Sequence, residues 1–114
     1  YKPCSTCRNA INWLRAQSLD FQELPIRETP PTKSELKSML NACEGQIRSI
    51  LNTSGQDYRD LGLKDKLDGM DTDAIFSLIS QNGNLIKRPF AIDVERGIFL
   101  AGFREEKWKR AFAV

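Results

Sequence analysis

Apolar positions recur at helical spacing over most of the chain and switch to an extended pattern in three short stretches. Cys7, Ala10, Ile11 and Leu14 fall on one stripe, which predicts a first helix from about Cys4 to Gln17. Phe21 to Ile26 reads as a short strand. Pro25 has no N–H to give to a ladder, so this strand is expected near a sheet edge or to end early. Pro30-Pro31 breaks the pattern. Thr32 and Glu35 then make a capping box ahead of Leu36, Met39, Leu40 and Cys43, a second helix. Ile47, Ile50 and Leu51 add a helical turn, and Asn52-Thr53-Ser54-Gly55 reads as a loop. Tyr58 and Leu61 carry a short helix stopped by Gly62. Asp71 or Thr72 caps a further helix with Ile75, Phe76, Leu78 and Ile79, ending at Asn82-Gly83. Pro89 to Val94 and Ile98 to Ala101 predict two strands joined by a tight turn at Glu95-Arg96-Gly97. A last helix from about Arg104 presents Trp108, Ala111 and Phe112 on one face, with Glu105 and Lys109 at a favourable i,i+4 spacing.

Composition narrows the function. The 114 residues suit one domain, which at this size buries roughly two-thirds of the surface of its unfolded chain. No apolar run approaches the roughly 20 residues of a membrane span, so no membrane partner is expected. A formal net charge of +2 is too small to argue for direct nucleic-acid binding. The chain has no histidine, which removes every Cys–His and Ser–His dyad. Three cysteines, an odd number, argue against a secreted disulfide framework. The expected setting is a reducing cytoplasm, where paired cysteines are redox-active or metal-binding. With only Cys43 available to join the pair, no metal site is expected.

The pair is Cys4-Ser5-Thr6-Cys7, at the start of the first helix. Unpaired backbone N–H groups and the positive end of the helix dipole favour a thiolate there. Cys4 is the candidate nucleophile; the plainer reading is a buried helix-start cysteine. Cys7, one turn inside, is a candidate resolving thiol that would attack a mixed disulfide on Cys4, or else a core residue. Ser5 and Thr6 offer hydroxyl and backbone donors to an anion, or cap the helix. Arg8 opposes the helix dipole, so an anionic partner explains it better than helix stability does. Cys43, Trp13, Trp108 and Phe112 read as core, and Lys64-Asp65-Lys66 as a solvated turn. A helix that starts with a redox cysteine normally follows a strand that aims it. Only Tyr1-Lys2-Pro3 precede Cys4, so a strand upstream of Tyr1 is expected.

Taken in order, several motifs resemble the arsenate reductase family of the glutaredoxin-coupled type and its relatives, the Spx redox regulators. They are Tyr1-x-Pro3-Cys4-Ser5-Thr6-Cys7-Arg8, Thr29-Pro30-Pro31-Thr32, Asn52-Thr53-Ser54-Gly55, Tyr58-Arg59-x-Leu61-Gly62-Leu63-Lys64-Asp65-Lys66-Leu67, Ile86-Lys87-Arg88-Pro89 and Gly102-Phe103-Arg104-Glu105-Glu106-x-Trp108. The resemblance implies an α/β, thioredoxin-like mixed sheet with an all-helical insertion between its second and third strands. The core would take residues of about 1–32 and 84–114, and the insertion about 33–83, in a single domain whose first strand is missing upstream. Arg88 matches the family arginine that contacts an anion at the cysteine, and Pro89 the cis-proline that faces it.

Two departures follow from the same match. Arsenate reductases of this group have serine where this chain has Cys7, and Cys7 points to dithiol chemistry. They also surround the oxyanion with three arginines. Two of these are absent here, from the loop Asn52-Thr53-Ser54-Gly55 and from Phe99-Leu100-Ala101. The implied activity is a thiol oxidoreductase that reduces a small oxyanion or a disulfide. It would hold no bound cofactor, and glutathione, glutaredoxin or thioredoxin would restore the dithiol. The alternative is a redox-sensing transcriptional regulator of the Spx type that binds the α subunit of RNA polymerase. Gly45 sits near that group's partner-contacting glycine.

Overall fold

Helix starts are set by caps that the sequence carries. A computed structural model of the protein describes residues 4–113, so Tyr1, Lys2, Pro3 and Val114 lie outside it. Cys4 caps helix α1 (Ser5–Ala16). Thr32 caps α2 (Lys33–Ala42) through both halves of its box: the Thr32 N–H donates to Glu35 Oε1 at 2.9 Å and the Glu35 N–H to Thr32 Oγ1 at 3.1 Å. Such a cap is worth about 1 kcal/mol. Gly62, at φ +64°, separates α3 (Gln56–Asp60) from α4 (Leu63–Lys66). Asp71 caps α5 (Thr72–Gln81), its carboxylate accepting from the Ala74 N–H at 2.7 Å. Short 3-10 turns occupy Ile47–Ile50, Leu67–Gly69 and Gly83–Leu85. Strands β1 (Phe90–Asp93) and β2 (Ile98–Ala101) form an antiparallel hairpin, and α6 (Glu105–Phe112) closes the described chain. No described helix is long and apolar enough to cross a membrane.

The hairpin stands between two apolar clusters. Paired residues share a face of a sheet, and the register Phe90↔Ala101, Ala91↔Leu100, Ile92↔Phe99 sorts them. Phe90, Ile92, Phe99 and Ala101 pack against the helical middle, whose centre is Leu36, Met39, Ile50, Ile79 and Ile86. Ala91, Ile98 and Leu100 pack on the other side with Ala10, Trp13 and Leu14 of α1 and Trp108 of α6. Trp13, Phe103, Trp108 and Phe112 contact one another there, with ring centroids 5.0 to 6.2 Å apart. Ala111, expected on the same face, is exposed.

One predicted element does not form. The segment from Phe21 to Ile26 is not a strand: it makes no ladder, and Phe21 and Leu24 are exposed. A strand needs a neighbour to take its N–H and C=O groups. The hairpin is the only sheet among the described residues, and neither of its strands pairs with this segment. After Pro25 the chain turns instead, with the Thr29 N–H donating to the Pro25 carbonyl at 2.8 Å. Gly83 packs directly on this turn, and a Cβ there would collide with the Ile26 carbonyl.

Candidate active site

Cys4 is half-buried at the N-cap of α1, in extended backbone geometry. Its Sγ accepts the Cys7 backbone N–H at 3.3 Å, one of the donors that a helix start leaves without a partner. Cys7 lies one turn on and is 3% exposed, packed beneath the sulfur it would resolve. The two environments push the thiols apart. Partial burial raises the Cys4 thiol. The Cys7 thiol and N–H, the Arg88 charge and the Thr6 N–H outweigh it, so Cys4 titrates below the ordinary thiol value. Cys7 is pushed up to about 11, first by burial and then by donating to, and facing, the Cys4 sulfur. The pair is one half-buried thiol that ionises more readily and one buried thiol that holds its proton.

Above Cys4 opens a cleft of about 380 Å³. Cys4 and Thr6 form one wall. Asn52, Lys87 and Arg88 form a second, and the strand-to-helix turn Ala101-Gly102-Phe103-Arg104 the third. Residues so distant in sequence meet there because a short antiparallel bridge joins Leu51 to Ile86. In it the Asn52 N–H donates to the Leu85 carbonyl at 2.8 Å and the Lys87 N–H to the Ile50 carbonyl at 3.0 Å. The Arg88–Pro89 peptide is cis, and the Pro89 carbonyl accepts the Gly102 N–H at 2.8 Å. The Gly102 carbonyl in turn accepts Trp108 Nε1–H at 3.1 Å. Gly102 has φ +77°, and a Cβ there would stand 2.8 Å from Lys87 Cε, so this turn needs glycine. The aromatic core thereby fixes the rim that carries Phe103 and Arg104.

The structure brings Cys4, Thr6 and Arg88 together in this cleft, with Cys7 below. Ser5 and Arg8 are exposed on α1 and do not line it, and neither does Pro89, which is half-buried. The sequence pattern supports Arg88 with Arg8. The cations that line the cleft are instead Lys87, Arg88 and Arg104. The signal for each is its place inside a matched motif, Ile86-Lys87-Arg88-Pro89 for Lys87 and Gly102-Phe103-Arg104-Glu105-Glu106-x-Trp108 for Arg104. Sequence reasoning also misses Asp57, on α3. Its carboxylate accepts from Asn82 Nδ2 at 2.8 Å and Asn84 Nδ2 at 3.2 Å. Those bonds hold it below the usual carboxylate range, and the charges of Arg27 and Arg88 act in the same direction. Among the described residues no three His, Cys, Asp or Glu side chains gather as a metal site would require.

The model of the ArsC family matches residues 1–111. The chain belongs to the ArsC family. Among curated relatives, the uncharacterized protein YusI of Bacillus subtilis is 38% identical over 99% of this chain and 94% of its own length. The global transcriptional regulator Spx of Streptococcus agalactiae is 31% identical over 91% of this chain and 73% of its own. Among solved structures, a possible arsenate reductase of Streptococcus mutans superposes with a TM-score of 0.84 at 36% identity, covering 96% of this chain and 92% of that one. The ArsC-family chain therefore has likenesses on both sides, to a possible arsenate reductase and to a regulator.

Proposed function

We propose that this ArsC-family protein is a thiol oxidoreductase in which Cys4 attacks and Cys7 resolves. The observation that carries the reading is the division of labour between the sulfurs: Cys4 faces the cleft with its thiol lowered, and Cys7 lies buried against it with its thiol raised. The Cys4 thiolate attacks an oxidised substrate. The product is a covalent adduct on Cys4, which Cys7 displaces to leave a Cys4–Cys7 disulfide. Glutathione, glutaredoxin or thioredoxin then restores the dithiol. Arg88 and Thr6 serve the anionic side of the reaction, as a guanidinium and a helix-start N–H can. Arsenate has weaker support than a disulfide, because the family's other two arginine positions fall in the loop that starts at Asn52 and among apolar hairpin residues. The test is NADPH consumption in a glutathione–glutaredoxin assay with arsenate or a disulfide as acceptor. Activity on neither, or activity equal in Cys4→Ser, rejects the reading.

A second reading has its own support. The Spx relatives and the exposed Gly45, at φ +78° beyond α2, fit a redox-switched contact with the C-terminal domain of the polymerase α subunit. Retention on that immobilised domain only after oxidation favours the switch; no retention in either redox state removes it.

A further inference from the structure

The cleft over Cys4 is charged in a way that its redox chemistry does not require. Arg88 is placed to act on the Cys4 sulfur. Lys87 and Arg104 stand on separate walls of the same cleft, and among the described residues neither side chain makes a hydrogen bond or ion pair. No acidic residue lines the cleft. Lys87 and Arg104 are thus two like charges facing one space, and an anion bound between them satisfies both.

Size and lining favour an organic anion over a bare one. A cleft of about 380 Å³ lies in the range of small organic ligands, about 300–1,000 Å³. A bare oxyanion needs far less, since one water takes about 30 Å³ of liquid. Phe103, Ala101 and Gly102 add an apolar strip beside the cations, which serves carbon rather than oxygen.

On the reading of Cys4 as nucleophile, we propose that the substrate is a small organic disulfide bearing a carboxylate, which Lys87 and Arg104 hold while Cys4 attacks its sulfur. The Cys4 thiolate forms a bond to one substrate sulfur and the substrate S–S bond breaks, releasing a thiolate. Cys7 gives up its proton to that thiolate and attacks Cys4 Sγ, releasing the second half as a thiolate that solvent protonates. Two electrons pass from the protein dithiol to the substrate, giving two thiols and one protein disulfide. An external dithiol, or two monothiols, returns the protein to its starting state.

The experiment oxidises the pre-reduced protein with three disulfides of similar size: 3,3′-dithiodipropionate, bis(2-hydroxyethyl) disulfide and cystamine. Each rate of thiol loss is divided by the rate of the same disulfide with dithiothreitol, which removes intrinsic reactivity. The anionic disulfide is expected to exceed the neutral one by about tenfold, one charge-assisted contact, with the cationic one slowest. Raised ionic strength should shrink that ratio. Arg104→Gln and Lys87→Gln should each lower it, and Arg104→Lys should retain most of it. Lys64→Gln, which removes an exposed charge that does not line the cleft, should keep it. A normalised ratio within about twofold of unity, or one that Arg104→Gln and Lys64→Gln lower equally, overturns the proposal. Failure to oxidise with any of the three, or equal rates in Cys4→Ser, instead overturns the reading of Cys4 on which it rests.

Discussion

The mouth of the cleft and the aromatic layer beneath α1 are built by the same helix and behave as opposites. At the mouth, Cys4, Lys87 and Arg104 meet solvent, and charge decides what happens. One turn deeper, Cys7 is buried, and Ala10, Trp13 and Trp108 fill the space between α1, β2 and α6. Three residues of helix carry a sulfur from one medium to the other. The same side chain is therefore a more acidic thiol on one side and a less acidic one on the other. Rigidity below serves reactivity above, because Trp108 grips the Gly102 carbonyl and so sets the rim.

The comparison is sharpest where a change on one side leaves the other alone. Cys4→Ser should bring disulfide reduction down to background in a steady-state assay while the urea midpoint moves little, since the site is half-buried. Trp108→Ala should do the reverse in kind. Removing a 1%-exposed indole costs about 3–5 kcal/mol, read from urea unfolding. Arg104→Gln on the exposed rim should stay within about 0.5 kcal/mol of wild type in the same unfolding experiment. Equal losses for Trp108→Ala and Arg104→Gln would erase the distinction between the two layers.

Titration divides the layers again. Alkylation by iodoacetamide, resolved by peptide mass spectrometry, should turn on at Cys4 below the ordinary thiol range and at Cys7 only near about 11. The linkage signs are opposite. The lowered Cys4 contributes stability that is present above the unfolded thiol value and is lost as pH falls through its folded one. The raised Cys7 contributes stability that is present below the unfolded value and is lost as pH rises towards about 11. The alkaline loss of stability should therefore be shallower in Cys7→Ala, measured by circular dichroism against pH. The smallest effect belongs to Arg88→Gln, which should move the Cys4 titration upward and leave that of Cys7 higher than Cys4. An unchanged Cys4 titration in that variant would remove the arginine from the account.

Much of this architecture is legible in local sequence. Thr32 with Glu35, Asp71 and Gly62 act through neighbours three or four residues away, and each does what its spacing implies. Cys4 at a helix start is equally local. What fails is what depends on a distant partner. Phe21 to Ile26 has an apolar, extended pattern, but a strand is a property of two segments, and among the described residues no strand pairs with it. Ala111 looks apolar enough to bury, yet Trp108 and Phe112 already fill that face. Arg104 and Lys87 are hidden for a similar reason. Their charges enter the cleft only because the Leu51–Ile86 bridge and the Gly102 turn bring three chain segments to one place. Asp57 reaches its partners across 25 and 27 residues, a separation no short motif records.

The central claim is that Cys4 takes the substrate and Cys7 removes it. Intact and peptide mass spectrometry after a short exposure to a small disulfide tests this most directly. Wild type should lose two hydrogens and show a Cys4–Cys7 linkage, and Cys7→Ser should hold the substrate half as a mixed disulfide on Cys4. An adduct on Cys7 or Cys43 in place of Cys4, or a Cys7→Ser protein that takes up no adduct, would contradict it.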